Sequence, residues 1–300
     1  MKQTTIVCGL LGAGKTTFIQ NILKRQSSEK TVVLVNDFAQ TGIDGDVLSV
    51  DGIETIELPN GCVCCTLKFD LISTIQSVMK KFDPGHLVIE PSGVAAVSGI
   101  LEILDILKIS PVIVVGIIDA AEFIQLYESG VFGSFLEDQV RNSDIILINK
   151  TDIASPELVT GTAAVVEGLN PGALVYRTVR AGFNESFSEK RRGPLVKTEN
   201  PDPFQFDTLS VTLRDGLDAS AVRDIFHSLG QGEYGEVVRA KALVRTSNGP
   251  MRFDLVYGKT DAETFSAPIG RSRLVIIGKN LKKDAVNKEL SILKTIIRNA

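Results

Sequence analysis

The stretch TTIVCGLLGAGKT, Thr4 to Thr16, limits what this chain can fold into more than any other. Thr4 to Cys8 is a short run of β-branched and apolar residues, the pattern of a buried strand. A glycine turn follows, and a helical pattern then continues to about Lys24. Gly9 to Thr16 fits G-x-x-x-x-G-K-[ST] in the context that motif needs, with a strand before it and a helix after it. Glycines let backbone N–H groups curl around phosphate oxygens, and the helix N-terminus adds a field that favours anions. The cradle comprises Gly9, Gly12, Ala13, Gly14, Lys15, Thr16 and Thr17. Lys15 is expected to reach the β- and γ-phosphates, and the Thr16 hydroxyl to sit on Mg²⁺. A glycine turn with a chance lysine is the plain alternative, and the flanking strand and helix argue against it.

Apolar strands alternate with helical patterns through the first part of the chain. TVVLVN (Thr31 to Asn36) is nearly continuous, IETIEL (Ile53 to Leu58) alternates, and HLVIE, PVIVVGIID and DIILINK begin at His86, Pro111 and Asp144. Leu67, Leu71, Ile75, Val78, Met79 and Phe82 recur at helical spacing. Such alternation implies a mainly parallel sheet flanked by helices, an α/β P-loop NTPase fold. The chain has 300 residues, more than one core usually supports. The pattern changes after about Ala181. Residues 1–183 are read as the P-loop domain, 184–203 as a polar linker rich in charge and turn residues, and 204–300 as a smaller α+β domain. In that second domain FDTLSVTL, EVVRAKALVRT, MRFDLVYG and SRLVIIGK read as strands. DASAVRDIFHSL reads as a helix opened by Asp218, and Lys283 to Ile297 as a closing helix.

Two strand ends refine the chemistry. NKTD, Asn149 to Asp152, follows the apolar IILI. The Asp152 carboxylate can accept from the N1–H and exocyclic amine of guanine, a donor pair that adenine lacks, so GTP is the expected nucleotide. Asn149 is expected to bind base and loop, and the Lys150 stem to cover the ring. VIEPSG, Val88 to Gly93, ends another strand. Glu90 is placed to hold Mg²⁺ through a water, and the Gly93 N–H to meet the γ-phosphate and report its loss. Asp37, just past the second strand, is a further candidate for the Mg²⁺ shell. Lys15, Thr16 and Glu90 are thus the candidate catalytic group.

Three of the four cysteines, Cys62, Cys64 and Cys65, fall within NGCVCC. Asn60-Gly61 marks a turn, which sets the thiols on a loop rather than in a core strand. Cys62 and Cys65 also have the C-x-x-C spacing of a redox pair. Three thiolates suit Zn²⁺ or Co²⁺ rather than Mg²⁺, and leave a fourth position open for water or a client group. Asp37, Glu57 and His86 are further ligand candidates with plainer roles available; His86 opens a strand and could simply cap the sheet. Cys8, on the first strand, reads as buried.

With these residues assembled the chain resembles the CobW-type GTPases, of the class that includes the nickel-maturation GTPases of urease and hydrogenase. The resemblance rests on Gly9 to Thr16, the Asn36-Asp37 pair with GIDG after it, NGCVCC, Glu90 with Gly93, and NKTD. It continues in RAKA (Arg239 to Ala242) and SRLVIIGKNL (Ser272 to Leu281). It implies a slow GTPase that binds zinc or cobalt through Cys62, Cys64 and Cys65 and hands the metal, or a metal cofactor, to a client metalloprotein. It also implies the cofactors GTP and Mg²⁺, and it is compatible with a homodimer. Many members carry a histidine-rich tract, whereas this chain has only His86 and His227. Pro91 follows Glu90 where the family often has Thr or Ser. The competing readings are a regulatory GTPase acting through partners without metal transfer, and a redox-sensing one.

Bulk properties remove other classes. A net charge of −4 argues against a general nucleic-acid binder. No apolar run reaches membrane-spanning length, and the N-terminal apolar run is too short for a signal-peptide core. A cytoplasmic protein is expected, in which four cysteines do not suggest a disulfide scaffold.

Overall fold

The computed structural model describes residues 3–25, 30–35, 53–57, 66–91, 96–130, 132, 134–183, 195–196, 207–256, 258–264 and 272–296. These form two compact units, one holding the described residues up to Val196 and the other those from Asp207.

The first unit is built on seven strands: β1 (Gln3–Cys8), β2 (Thr31–Val35), β3 (Ile53–Glu57), β4 (His86–Glu90), β5 (Val112–Asp119), β6 (Ile145–Asn149) and β7 (Leu174–Arg177). They lie in the order β3-β2-β4-β1-β5-β6-β7, and every pairing is parallel. Strands buried on both faces need no polar side, and β2, β4 and β6 are buried at every residue. The helices are α1 (Lys15–Leu23), α2 (Thr66–Phe82), α3 (Val97–Ile106), α4 (Phe123–Glu128), α5 (Ser134–Arg141) and α6 (Pro156–Leu169).

Ile75 and Val78 of α2 and Ile100, Leu101 and Leu104 of α3 pack with Val32, Leu34, Leu87 and Ile89 of the sheet. Each such side chain contributes about 1.5–3 kcal/mol when fully buried. The Asp138 carboxylate on α5 accepts from the Ser98 N–H at 3.1 Å, so α3 takes an N-terminal acceptor from a neighbouring helix. Asn142, just past α5, accepts from Val196 N at 3.1 Å and donates to Val196 O at 3.0 Å.

The strand order matters most for function. β1 lies between β4 and β5, with Ile6 opposite Ile89 and Cys8 opposite Gly116. The ends of β4, β1 and β5 therefore emerge side by side at the carboxyl edge of the sheet, where open α/β sheets bind ligands.

The second unit has five strands, β8 (Asp207–Thr212), β9 (Glu236–Thr246), β10 (Gly249–Val256), β11 (Lys259–Thr264) and β12 (Arg273–Lys279), in the antiparallel order β11-β10-β9-β12-β8. Helices α7 (Ala219–Gly230) and α8 (Lys283–Ile296) complete it. Alternate strand residues, among them Ala240, Ala242, Val244, Phe253, Leu255 and Ile276, share one core with Val222, Phe226 and Leu290 of the helices. Asp218 opens α7 by accepting from Ser220 N at 2.9 Å, as its position before the apolar pattern predicts. Two strands lack a clear pattern in the sequence. β11 reads KTDAET and is exposed at five of six residues. β7 is only four residues long.

Candidate nucleotide site

The phosphate loop leaves the middle of the parallel sheet and is held open by three left-handed glycines. Gly9, Gly12 and Gly14 have φ of 142°, 83° and 116°. A Cβ on Gly9 would stand 2.3 Å from Ile117 O, and one on Gly14 2.5 Å from Asn149 Nδ2. Larger residues are excluded by contact as well as by backbone conformation. Ala13 N donates to Leu10 O at 3.1 Å to close the turn, and Phe18 N to Gly14 O at 2.9 Å to start α1. The N-cap Gly14 brings no side-chain acceptor, so the first turn of α1 presents its N–H groups to the loop. That cradle suits a phosphate chain. Lys15 is buried, donates to Leu10 O at 3.3 Å and lies 3.9 Å from Glu90 Oε1 at the end of β4. A buried cation beside a buried carboxylate is a setting that phosphates and a divalent cation can join. Thr16 and Thr17 are half-buried on the first turn.

The second half of the site is the turn after β6. Asn149 is buried and uses both ends of its amide. Nδ2 donates to Ala13 O at 2.8 Å, while Oδ1 accepts from Ala181 N at 2.8 Å and Thr178 Oγ1 at 3.1 Å. One side chain thus fastens the phosphate loop to both the β6 turn and the turn after β7. Lys150 takes φ 63°, and its ammonium bonds the carboxylate of Asp119 at the end of β5. Asp119 also accepts from Ala121 N at 3.1 Å. Ile153 N and Ala154 N both donate to Lys150 O, which curls the chain and leaves Asp152 exposed.

The structure therefore gathers Gly9 to Thr17, Glu90, Asn149, Lys150 and Asp152 at one edge of the sheet. Asp37, Gly93, Cys62, Cys64 and Cys65 lie outside the described residues. The strands that precede Asp37 and the cysteines end at the same edge, where Val35 is paired with both Glu57 and Glu90. Among the described residues no group of three or more His, Cys, Asp or Glu side chains could hold a metal. Sequence reading missed Asp119, Thr178 and Ala181 as members of the site. Asp119 could have been found as an acid ending an apolar strand; the other two carry no signal.

His86 and Cys8 take the plainer roles. His86 is buried at the opposite end of the sheet, with Nε2 2.9 Å from Thr5 Oγ1. It stands inside the sheet rather than at its border, because β4 has a neighbour on each side. The Cys8 thiol lies 3.7 Å from both Val115 O and Ser143 Oγ, and burial pushes its pKa up to about 12.

Among the described residues no helix is long and apolar enough to cross a membrane. The profile described as "CobW/HypB/UreG, nucleotide-binding domain" matches residues 3–177, and "Cobalamin synthesis protein cobW C-terminal domain" matches residues 206–293. The chain is 30% identical over 294 residues to "Zinc chaperone CobW" of Sinorhizobium sp, covering 83% of this chain and 82% of that protein. It is 34% identical over 162 residues to "Zinc chaperone YeiR" of Escherichia coli strain K12, covering 52% and 49%. The crystal structure of Zn(II)-bound YjiA GTPase from E. coli superposes with a TM-score of 0.45 at 21% identity, over 97% of this chain and 98% of that one.

Proposed function

The chain belongs to the CobW family of P-loop nucleotide-binding proteins, and from that premise we propose that it binds and hydrolyses GTP to load a client protein with a transition metal. The observation that carries this reading is Asn149 of NKTD, which bonds the phosphate loop and the turn after β7 into one seat. In that seat the loop N–H groups and Lys15 hold the phosphates, and Asp152 accepts from guanine. Thr16, Asp37 and Glu90 would hold Mg²⁺, which would neutralise charge on the phosphates. Water attacks the γ-phosphorus and the bond to the β-phosphate oxygen breaks, giving GDP and inorganic phosphate.

The cargo is zinc or cobalt, held by Cys62, Cys64 and Cys65; the zinc chaperones among the relatives favour zinc. The three cysteines lie in sequence between Asp37 and Glu90. Contacts of γ-phosphate near Asp37 and Gly93 would set the ligand geometry, and their loss on hydrolysis would lower metal affinity.

The test is the affinity for Zn²⁺ and for Co²⁺ with a non-hydrolysable GTP analogue and with GDP. Tighter binding in the GTP-analogue state is expected, and equal affinities would end the coupling. A triple Cys→Ser variant that binds GTP but no longer loads a client supports metal transfer. One that keeps full function would turn the reading towards a regulatory GTPase.

A further inference from the structure

The turn that follows β7 is held from α1, on the side away from Asn149. Arg180 and Ala181 have φ of 51° and 50°, two consecutive non-glycine residues in the left-handed region. That conformation is costly for L-residues and persists only where surrounding contacts impose it. Asn21 of α1 donates through Nδ2 to Arg180 O at 3.1 Å and to Ala181 O at 3.2 Å. Arg25 bonds Phe183 O, and the Phe183 ring packs 6.2 Å from that of Phe18 on α1. Both carbonyls of the left-handed pair are thus drawn towards α1. The Ala181 N–H consequently faces the other way, onto Asn149 Oδ1.

We propose that Asn21 is a positioning residue for base recognition: it fixes the Arg180–Ala181 turn, which fixes the Asn149 amide and the NKTD turn behind it. The Asn21 amide donates to the two turn carbonyls, so its side chain acts through the turn. Its role rests on the proposed reading that the turn after β6 seats the base. Loss of the amide leaves two carbonyls without that donor, and the left-handed pair relaxes. Ala181 N then leaves Asn149 Oδ1, and the base contribution to affinity falls while the phosphate cradle stays intact.

The experiment uses the full chain, wild type and Asn21→Ala, with a fluorescent GDP analogue displaced by GDP, by ADP and by inorganic tripolyphosphate. In Asn21→Ala, GDP is expected to weaken about tenfold, with the GDP-to-ADP preference shrinking and tripolyphosphate affinity unchanged. Equal weakening of GDP and tripolyphosphate, or no change in either, would overturn the proposal. Asn21→Ser, which keeps one donor, is expected to fall between, and serves the same comparison if Asn21→Ala folds poorly. A wild-type protein with no preference for GDP over ADP would defeat the guanine reading by itself. The ratio of the tighter nucleotide to tripolyphosphate, compared between wild type and variant, would still decide the role of Asn21.

Discussion

Gly14 concentrates two constraints in one residue. Its φ of 116° suits only glycine, and its missing Cβ is what lets Asn149 Nδ2 reach Ala13 O. Gly14→Ala is expected to break that bond and leave a buried amide unpaired, at about 1–3 kcal/mol. Nucleotide affinity should drop about tenfold or more, read by titration with a fluorescent GDP analogue. Much of this was legible in the sequence, because G-x-x-x-x-G-K-[ST] encodes a backbone shape and N-K-x-D a strand end. What the sequence does not carry is the bond between them. Nothing in the identity of residues 13 and 149 announces that one amide joins them across the sheet. The same holds for Asn21, which reads as an ordinary polar position of an amphipathic helix until its two carbonyl partners are seen.

At the scale of elements, strands were legible where burial dictates composition and illegible where it does not. β2, β4 and β6 are apolar because both their faces are covered. β11 borders its sheet and keeps almost all of its residues exposed, so its KTDAET carries no alternation. The segment between β8 and α7 is fastened by a similarly unannounced cluster. The Ser272 hydroxyl donates to Asp215 Oδ1 at 2.6 Å, and Arg245 bonds Oδ2 at 2.8 Å. The Ser272 hydrogen bond holds the Asp215 carboxyl below the usual carboxylate range, against the opposing desolvation and with help from the Arg245 charge. A depressed folded-state pKa stabilises the folded form above the unfolded value, near 3.9, and that stability fades as pH falls through the folded one. Denaturant melts of the full chain between pH 6 and about pH 2.5 should show this loss in wild type. In Ser272→Ala the same carboxyl should contribute a smaller pH-dependent change.

At the scale of the whole molecule the sheet order is the functional statement. β1 between β4 and β5 brings an N-terminal loop, a mid-chain acid and a turn near residue 150 to one edge. The alternation of strands and helices predicts a parallel sheet, whereas the strand order is set by which crossovers pack, and composition is silent on that. A ligand seated across such an edge ties many segments together, so binding should register as global stability. GDP at a hundred times its dissociation constant is expected to add about 2.7 kcal/mol to the unit that binds it. The unfolding midpoint of that unit should rise by about 5–10 °C by scanning calorimetry, and the same concentration of ADP should leave it in place.

The buried Cys8 has a practical consequence of another kind. A thiol with a pKa of about 12 is almost wholly protonated near neutrality, and only the thiolate attacks an electrophile. Cys8 is therefore a natural blank in an alkylation experiment on the native protein. Any fast-reacting sulfur belongs to Cys62, Cys64 or Cys65, the other three of the four. Labelling that slows when zinc is added and recovers when the client is present would record the proposed hand-over without any substitution in the chain.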